Sequence, residues 1–114
     1  MTQHTGLVPA RWARFTLGQQ ILQIGVEMQR ATSSLRADRL ASLRLGYERT
    51  LELVDLTLEV NDDPGLRREL GLWRGVVEEL HARAEPDPAT HRAALKVLLQ
   101  LHPEAAGQIP GLGL

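Results

Sequence analysis

The apolar residues between Leu40 and Val60 have the spacing of one long helix with two apolar faces. One stripe repeats at steps of three and four, as the inward face of a helix does, and consists of Leu40, Leu43, Tyr47, Leu51, Val54 and Leu58. A second stripe lies roughly opposite, at about 100° of rotation per residue, and consists of Leu45, Leu53, Leu56 and Val60. A single core covers only one of these faces. The pattern therefore predicts that the second stripe is an oligomer interface.

A shorter amphipathic helix is predicted before it. Thr16 and Gln19 have the spacing of a capping box, and an apolar stripe follows at Leu17, Ile21, Ile24, Met28 and Ala31. Gly18 and Gly25 lie seven residues apart on nearly the same face, which indicates either a close helix–helix approach or simple tolerance of glycine. The phase of the pattern breaks between about Thr32 and Ala37, so the second helix is expected from about Asp38 to Asn61.

Two more helices have well-marked starts. Asp63–Pro64 and Asp87–Pro88 each place an N-cap carboxylate before a proline at the first helical position. The first start precedes a regular seam of Leu66, Leu70, Trp73, Val77 and Leu80. The second precedes a shorter stripe of Ala94, Leu95, Leu98, Leu99 and Leu101, which must stop near His102 because Pro103 follows.

These elements predict an all-α domain over residues 1–106. No segment has the alternation of a strand, and short connections make consecutive helices antiparallel neighbours, so we expect an up-down antiparallel four-helix bundle with a short fourth helix. Residues 107–114 contain three glycines and a proline and are expected to form a flexible, irregular tail, either a docking peptide or a ragged end. With 114 residues and no apolar run near the roughly 20 that a membrane span needs, the chain is predicted to be a single cytoplasmic domain without membrane contact.

A basic cluster flanks the first turn and is the candidate for nucleic-acid contact. Its members are Arg30, Arg36, Arg39 and Arg44. Arginine contacts to phosphate give affinity that does not depend on base sequence, but no aromatic residue stands among them as a stacking platform. Ordinary solubility of a turn is the alternative, and the net charge of −1 gives no general preference for nucleic acid.

Few residues offer other chemistry. Glu78 and His81 have the Glu-x-x-His spacing of carboxylate-bridged metal sites in helical bundles, although such sites need this pair twice. A strip of carboxylates at Glu48, Glu52, Asp55 and Glu59 is either a cation or basic-partner site or a solvated helix face. The chain has no cysteine and contains no nucleophile, phosphate-loop or zinc-protease motif. We therefore expect no enzymatic activity and no cofactor.

Three segments resemble helices of a known group of proteins. They are residues 20–31 (QILQIGVEMQRA), 49–58 (RTLELVDLTL) and 66–74 (LRRELGLWR). Together with Trp12 they resemble a group of small bacterial helical proteins of unassigned function, over roughly residues 12–77. That group is similar in layout to the four-helix-bundle accessory variability determinants of diversity-generating retroelements. The resemblance implies a ring-forming bundle that binds a reverse transcriptase and nucleic acid through a basic surface.

The slightly acidic charge of this chain departs from that family, so the resemblance supports self-association more than nucleic-acid binding. The sequence predicts a non-catalytic scaffold or adaptor that forms a homo-oligomer. A reverse transcriptase or another protein is its expected partner, in retroelement or other nucleic-acid machinery. The competing hypothesis is a metal-binding or metal-dependent bundle protein that uses Glu78 and His81.

Overall fold

A computed structural model describes residues 8–112 of the chain, and this part contains helices and no strand. The α-helices are α1 (Pro9–Trp12), α2 (Leu17–Ala31), α3 (Leu40–Val60), α4 (Pro64–Ala82), α5 (Pro88–Leu99) and α6 (Pro103–Ala106). Short 3-10 turns lie at Thr32–Ser34, Ala37–Arg39 and Ile109–Leu112. The predicted all-α class is confirmed. No helix in the described range is long and apolar enough to cross a membrane.

The four longer helices surround one aliphatic core. Helix α3 packs against α2 and α4, and α5 also packs against both α2 and α4. The short α1 lies against α3, and α6 lies against α2 and α5. Fully buried side chains from all four longer helices meet in the middle, among them Ile21, Ile24, Met28, Leu43, Val54, Leu70, Val77, Leu95 and Leu98.

The three predicted helix starts are confirmed by their caps. The Thr16 hydroxyl accepts a hydrogen bond from the Gln19 backbone N–H at 3.1 Å, and the Gln19 side chain accepts one from the Thr16 N–H at 2.9 Å. The Asp63 carboxylate accepts from the Leu66 N–H at 2.8 Å, at the start of α4. Asp87 caps α5 in the same way and also accepts from the Thr90 hydroxyl at 2.7 Å. Each side chain satisfies a backbone donor that the helix itself leaves unpaired.

Replacing Asp63 with alanine is expected to lower the free energy of unfolding by about 1 kcal/mol, the usual loss for an N-cap side chain. Urea unfolding followed by circular dichroism measures the change. Asp62→Ala is the matched control, because it removes a neighbouring exposed carboxylate that caps no helix. Equal midpoints for the two variants would contradict the assignment of Asp63 as the cap of α4.

The inward face of α3 differs from the predicted stripe. Its buried residues are Leu43, Gly46, Tyr47, Thr50, Leu53, Val54 and Thr57. Leu53 is only 3% exposed and belongs to the core, so its predicted place on an outer interface is wrong. Of the other predicted interface residues, Leu45 is 44% exposed, and Leu56 and Val60 are half-buried against the core. Leu51 and Leu58, which the pattern places inward, are also only half-buried.

Small and hydroxylated residues cause this rotation of the face. Thr50 and Thr57 donate their hydroxyl hydrogen bonds to carbonyls one turn earlier in α3, at 2.8 Å each, so both threonines are buried without needing a polar environment. Gly46 lies where α2 and α3 approach closely, since a Cβ there would stand 3.0 Å from the Ala31 Cβ. An apolar pattern does not count these residues as core, although they face it.

The described part of the C-terminal segment contains regular structure. The last turn, Ile109–Leu112, is a 3-10 turn, and Ile109 packs against the core. The predicted flexible tail thus includes a 3-10 turn, and its residues 113 and 114 lie outside the described range. Of the two interpretations of Gly18 and Gly25, a close approach is favoured: a Cβ at Gly18 would stand 2.8 Å from the Glu104 carboxylate, and one at Gly25 would stand 3.0 Å from a Leu99 methyl.

Candidate functional site

Three of the four arginines predicted to contact phosphate, Arg30, Arg36 and Arg44, are engaged in contacts within the chain. Arg44 is half-buried and donates to the backbone carbonyls of His81 at 3.2 Å and Arg83 at 2.9 Å. These carbonyls are at the C-terminal end of α4, where the helix dipole is negative and a cation is stabilising. Arg44 is therefore a helix cap and a structural residue.

Carboxylates on the protein face two more of these arginines. Arg36 makes two hydrogen bonds of 3.1 Å to Asp38, and Arg30 lies 3.3 Å from a carboxylate oxygen of Glu27. Arg39 is exposed on the 3-10 turn before α3. The four arginines thus occupy one region of the molecule, but the charges of Arg30 and Arg36 are partly neutralised by neighbouring carboxylates.

The predicted metal pair does not converge on one point. A Glu78 oxygen accepts from Arg74 at 2.6 Å, whereas Nε2 of His81 lies 3.1 Å from a Glu48 oxygen. Within residues 8–112, no three side chains of the His, Cys, Asp or Glu type are placed to hold a metal ion together. The two side chains instead take part in separate polar contacts.

The acidic strip of α3 is one side of the interface with α4. Asp55 accepts two hydrogen bonds from Arg74, at 2.7 and 3.1 Å, and these bonds raise the pKa of the guanidinium. Glu48 faces His81 in the same interface. These contacts explain Glu48 and Asp55, two of the four carboxylates, as partners of basic residues on the neighbouring helix.

Reciprocal arginine caps fix the direction of these two helices. Arg67, in the first turn of α4, donates to the carbonyls of Leu58 and Asn61 at the end of α3. Arg44, near the start of α3, caps the end of α4. Each arginine lies near the start of its own helix and contacts the end of the other helix. The start of each helix is therefore beside the end of the other, so α3 and α4 run antiparallel.

A fully buried histidine is the main polar feature that the sequence analysis missed. Nε2 of His91 lies 3.0 Å from the Met28 carbonyl, and Nδ1 lies 2.9 Å from the Tyr47 hydroxyl. A carbonyl only accepts, so Nε2 carries the proton, and Nδ1 accepts the hydrogen bond of Tyr47. The Thr32 hydroxyl also lies near Nε2 and donates to the Met28 carbonyl. The cluster ties α5 to the end of α2 and to α3.

Burial keeps both rings of this cluster neutral. It lowers the pKa of His91 because the charged imidazolium is desolvated, although the Met28 carbonyl favours that form. Burial, aided by the charge of Asp87, raises the pKa of Tyr47 to about 12. Neither ring is accessible to a substrate, so the cluster supports the fold. In the sequence, His91 lies at helical spacing from the apolar residues Ala94, Leu95 and Leu98. This position on the stripe indicates that its side chain is buried with them.

Grooves and several exposed apolar side chains also lie on the surface of residues 8–112. An apolar groove of about 230 Å³ lies between α2 and α5 and is lined mainly by Leu22, Val26 and Leu99. A polar groove of about 160 Å³ lies between α2 and α3, beside Glu27 and Arg49. The most exposed large apolar side chain in the described range is Leu72 on α4, at 70%. The other exposed large apolar side chains in this range are Val8, Phe15, Val26, Leu45 and Val97.

Comparison with known proteins adds no relative. The chain matches no protein-family model, no curated protein and no solved structure. The resemblance to retroelement accessory proteins therefore stays a prediction, which rests on the three sequence segments that suggested it.

Proposed function

We propose that this chain is a non-catalytic scaffold or adaptor that associates with itself. The observation that carries the proposal is a contrast between two sets of residues. The polar side chains that offer chemistry have partners within the chain, as Arg44, Glu78 and His81 do. Leu72, on an outer helix face, is left 70% exposed. Burial of such apolar surface is the main driving force of protein association.

The architecture suits this role if α2 to α5 form an up-down antiparallel bundle. The reciprocal arginine caps support an antiparallel α3–α4 pair. The packing of α5 against both α2 and α4 supports a closed ring of four helices. The short α1 packs against α3 and the short α6 against α2 and α5, whereas Leu72 on the outer face of α4 stays exposed.

The identity of a second partner rests on the resemblance. A cytoplasmic accessory role beside a reverse transcriptase, or in other nucleic-acid machinery, is the context that the three sequence segments support. Protein contacts are the better basis for it, because Arg44 caps a helix and carboxylates face Arg30 and Arg36. A metal-binding role has less support, since Glu78 and His81 contact different partners.

Co-expression of tagged and untagged copies tests self-association. We expect the untagged copy to be retained with the tagged one on an affinity resin, because the exposed apolar faces are buried between copies. The untagged copy expressed alone is the control for non-specific retention. Complete loss of the untagged copy at micromolar concentration would contradict the proposal, and stoichiometric metal in the purified protein would favour the metal-binding alternative.

A further inference from the structure

Within residues 8–112, the outer face of α4 is largely exposed and has an ordered arrangement of residues. It lies opposite the buried stripe of α4, which consists of Leu70, Trp73, Val77 and Leu80. Along its centre run Arg68, Leu72, Gly75 and Glu79, at steps of four, three and four residues. This is the spacing of a helix–helix seam. Leu72 projects from the middle of it and is 70% exposed.

Open space on either side of Leu72 suits a close contact. A Cβ at Gly71 or at Gly75 would meet no atom within 4 Å. Packing inside the chain therefore does not require glycine at these positions, although glycine weakens a helix. Val76, beside them, is half-buried. The face thus has one apolar projection and, one turn away, open space over a glycine.

We infer that this face, called here the α4 face (Arg68, Gly71, Leu72, Gly75, Val76 and Glu79), binds a second copy of itself in an antiparallel two-fold dimer. The two-fold axis passes between positions 73 and 74. Leu72 then packs over Gly75 of the partner subunit, and the same contact occurs twice, as an isologous interface requires. This inference names the surface for the self-association proposed above and rests on it.

The charges at the two ends of the seam favour this partner and this orientation. Arg68 and Glu79 are both exposed and of opposite sign. In the antiparallel arrangement Arg68 lies opposite Glu79 of the partner subunit, so two ion pairs bracket the leucines, separated along each helix by roughly 16 Å at 1.5 Å per residue. A parallel arrangement would place like charges together, which is disfavoured. The α4 face is therefore complementary to its own antiparallel copy in both shape and charge.

Charge reversal tests the inference. Arg68→Glu places two carboxylates at each end of the interface, and Glu79→Arg places two cations there. We expect each variant to dimerise at least about tenfold more weakly than the wild type, which corresponds to about 1.4 kcal/mol. Sedimentation equilibrium measures the dissociation constants. Lys96→Glu, an exposed charge reversal on α5, is the control and should leave dimerisation unchanged.

Restoration of the charge pairs gives the decisive comparison. The double variant Arg68→Glu/Glu79→Arg should regain most of the wild-type affinity, and an equimolar mixture of the two single variants should form heterodimers. A Gly75→Ala variant should melt at a higher temperature, because its methyl group meets no atom of the chain, yet dimerise more weakly, because it fills the space for Leu72. If Gly75 only supported the fold of the chain, its replacement by alanine would not raise stability and weaken dimerisation together. That combination therefore indicates a role of Gly75 at the interface.

The possible failures separate the two proposals. If the wild type associates, but neither the charge reversals nor Gly75→Ala changes the dissociation constant, the α4 face is not the interface. Self-association itself would still hold. A wild type that is monomeric throughout would overturn both. Weakening by both single variants without recovery in the double variant would also overturn the charge pairing that defines the antiparallel dimer.

Discussion

Replacing Leu53 with glutamate is expected to unfold the chain. Leu53 is 3% exposed and lies in the core cluster. Loss of a buried leucine side chain alone costs about 2–5 kcal/mol, and an unpaired buried carboxylate adds a desolvation penalty. The sum approaches or exceeds the total stability of an ordinary domain, about 5–15 kcal/mol. Circular dichroism of the purified variant should show loss of helix at room temperature.

Leu45→Glu is the matched control on the same helix. Leu45 is 44% exposed, so its carboxylate stays in water and the helical signal should be kept. Thermal melts of the two variants give the comparison. A folded Leu53→Glu protein with an unfolding midpoint near that of Leu45→Glu would mean that Leu53 faces outward, as the apolar pattern predicts.

Removal of His91 is expected to have the second largest effect on stability. His91→Ala leaves a cavity and removes the acceptor of the Tyr47 hydroxyl, while the Met28 carbonyl loses one donor and keeps the Thr32 hydroxyl. Truncation of a large buried side chain together with unsatisfied polar groups suggests a loss of about 3 kcal/mol in the free energy of unfolding. Urea unfolding at neutral pH measures it. His102→Ala, which removes a half-buried histidine outside the core, should cost much less.

His91 also predicts how stability depends on pH. Its pKa is lowered in the folded chain, so below the unfolded value of about 6.5 the unfolded state binds more protons than the folded one. Stability should therefore fall as the pH drops through that value, by at most about 1.4 kcal/mol per pH unit for one proton. Asp87 also has a lowered pKa, but its contribution is lost only at more acid pH. A wild-type stability that is flat between neutral pH and about pH 5 would contradict a neutral, buried His91.

The elements that were predictable from the sequence are those fixed by local contacts. Thr16, Asp63 and Asp87 cap their helices through bonds to residues three positions on, so a short motif contains all the information. The inward face of α3 was not predictable in the same way. It includes Gly46, which an apolar pattern treats as neutral but which α2 requires for close approach.

The candidate sites failed for a related reason. The role of Arg44 depends on where α4 ends, 37 residues further along the chain. The spacing of Glu78 and His81 places them on one face of α4. Glu78 nevertheless bonds to Arg74 and His81 contacts Glu48, so the two side chains have different partners. Spacing indicates which residues are neighbours on one helix, whereas the partners across the helix interfaces determine their chemistry.

Sedimentation equilibrium of the wild-type chain over a wide concentration range tests the central claim most directly. One chain has a mass of 12.6 kDa. If the chain is a self-associating scaffold, we expect its apparent mass to rise with concentration to twice this value or above in the micromolar range. A mass that stays at 12.6 kDa at every concentration would contradict the account.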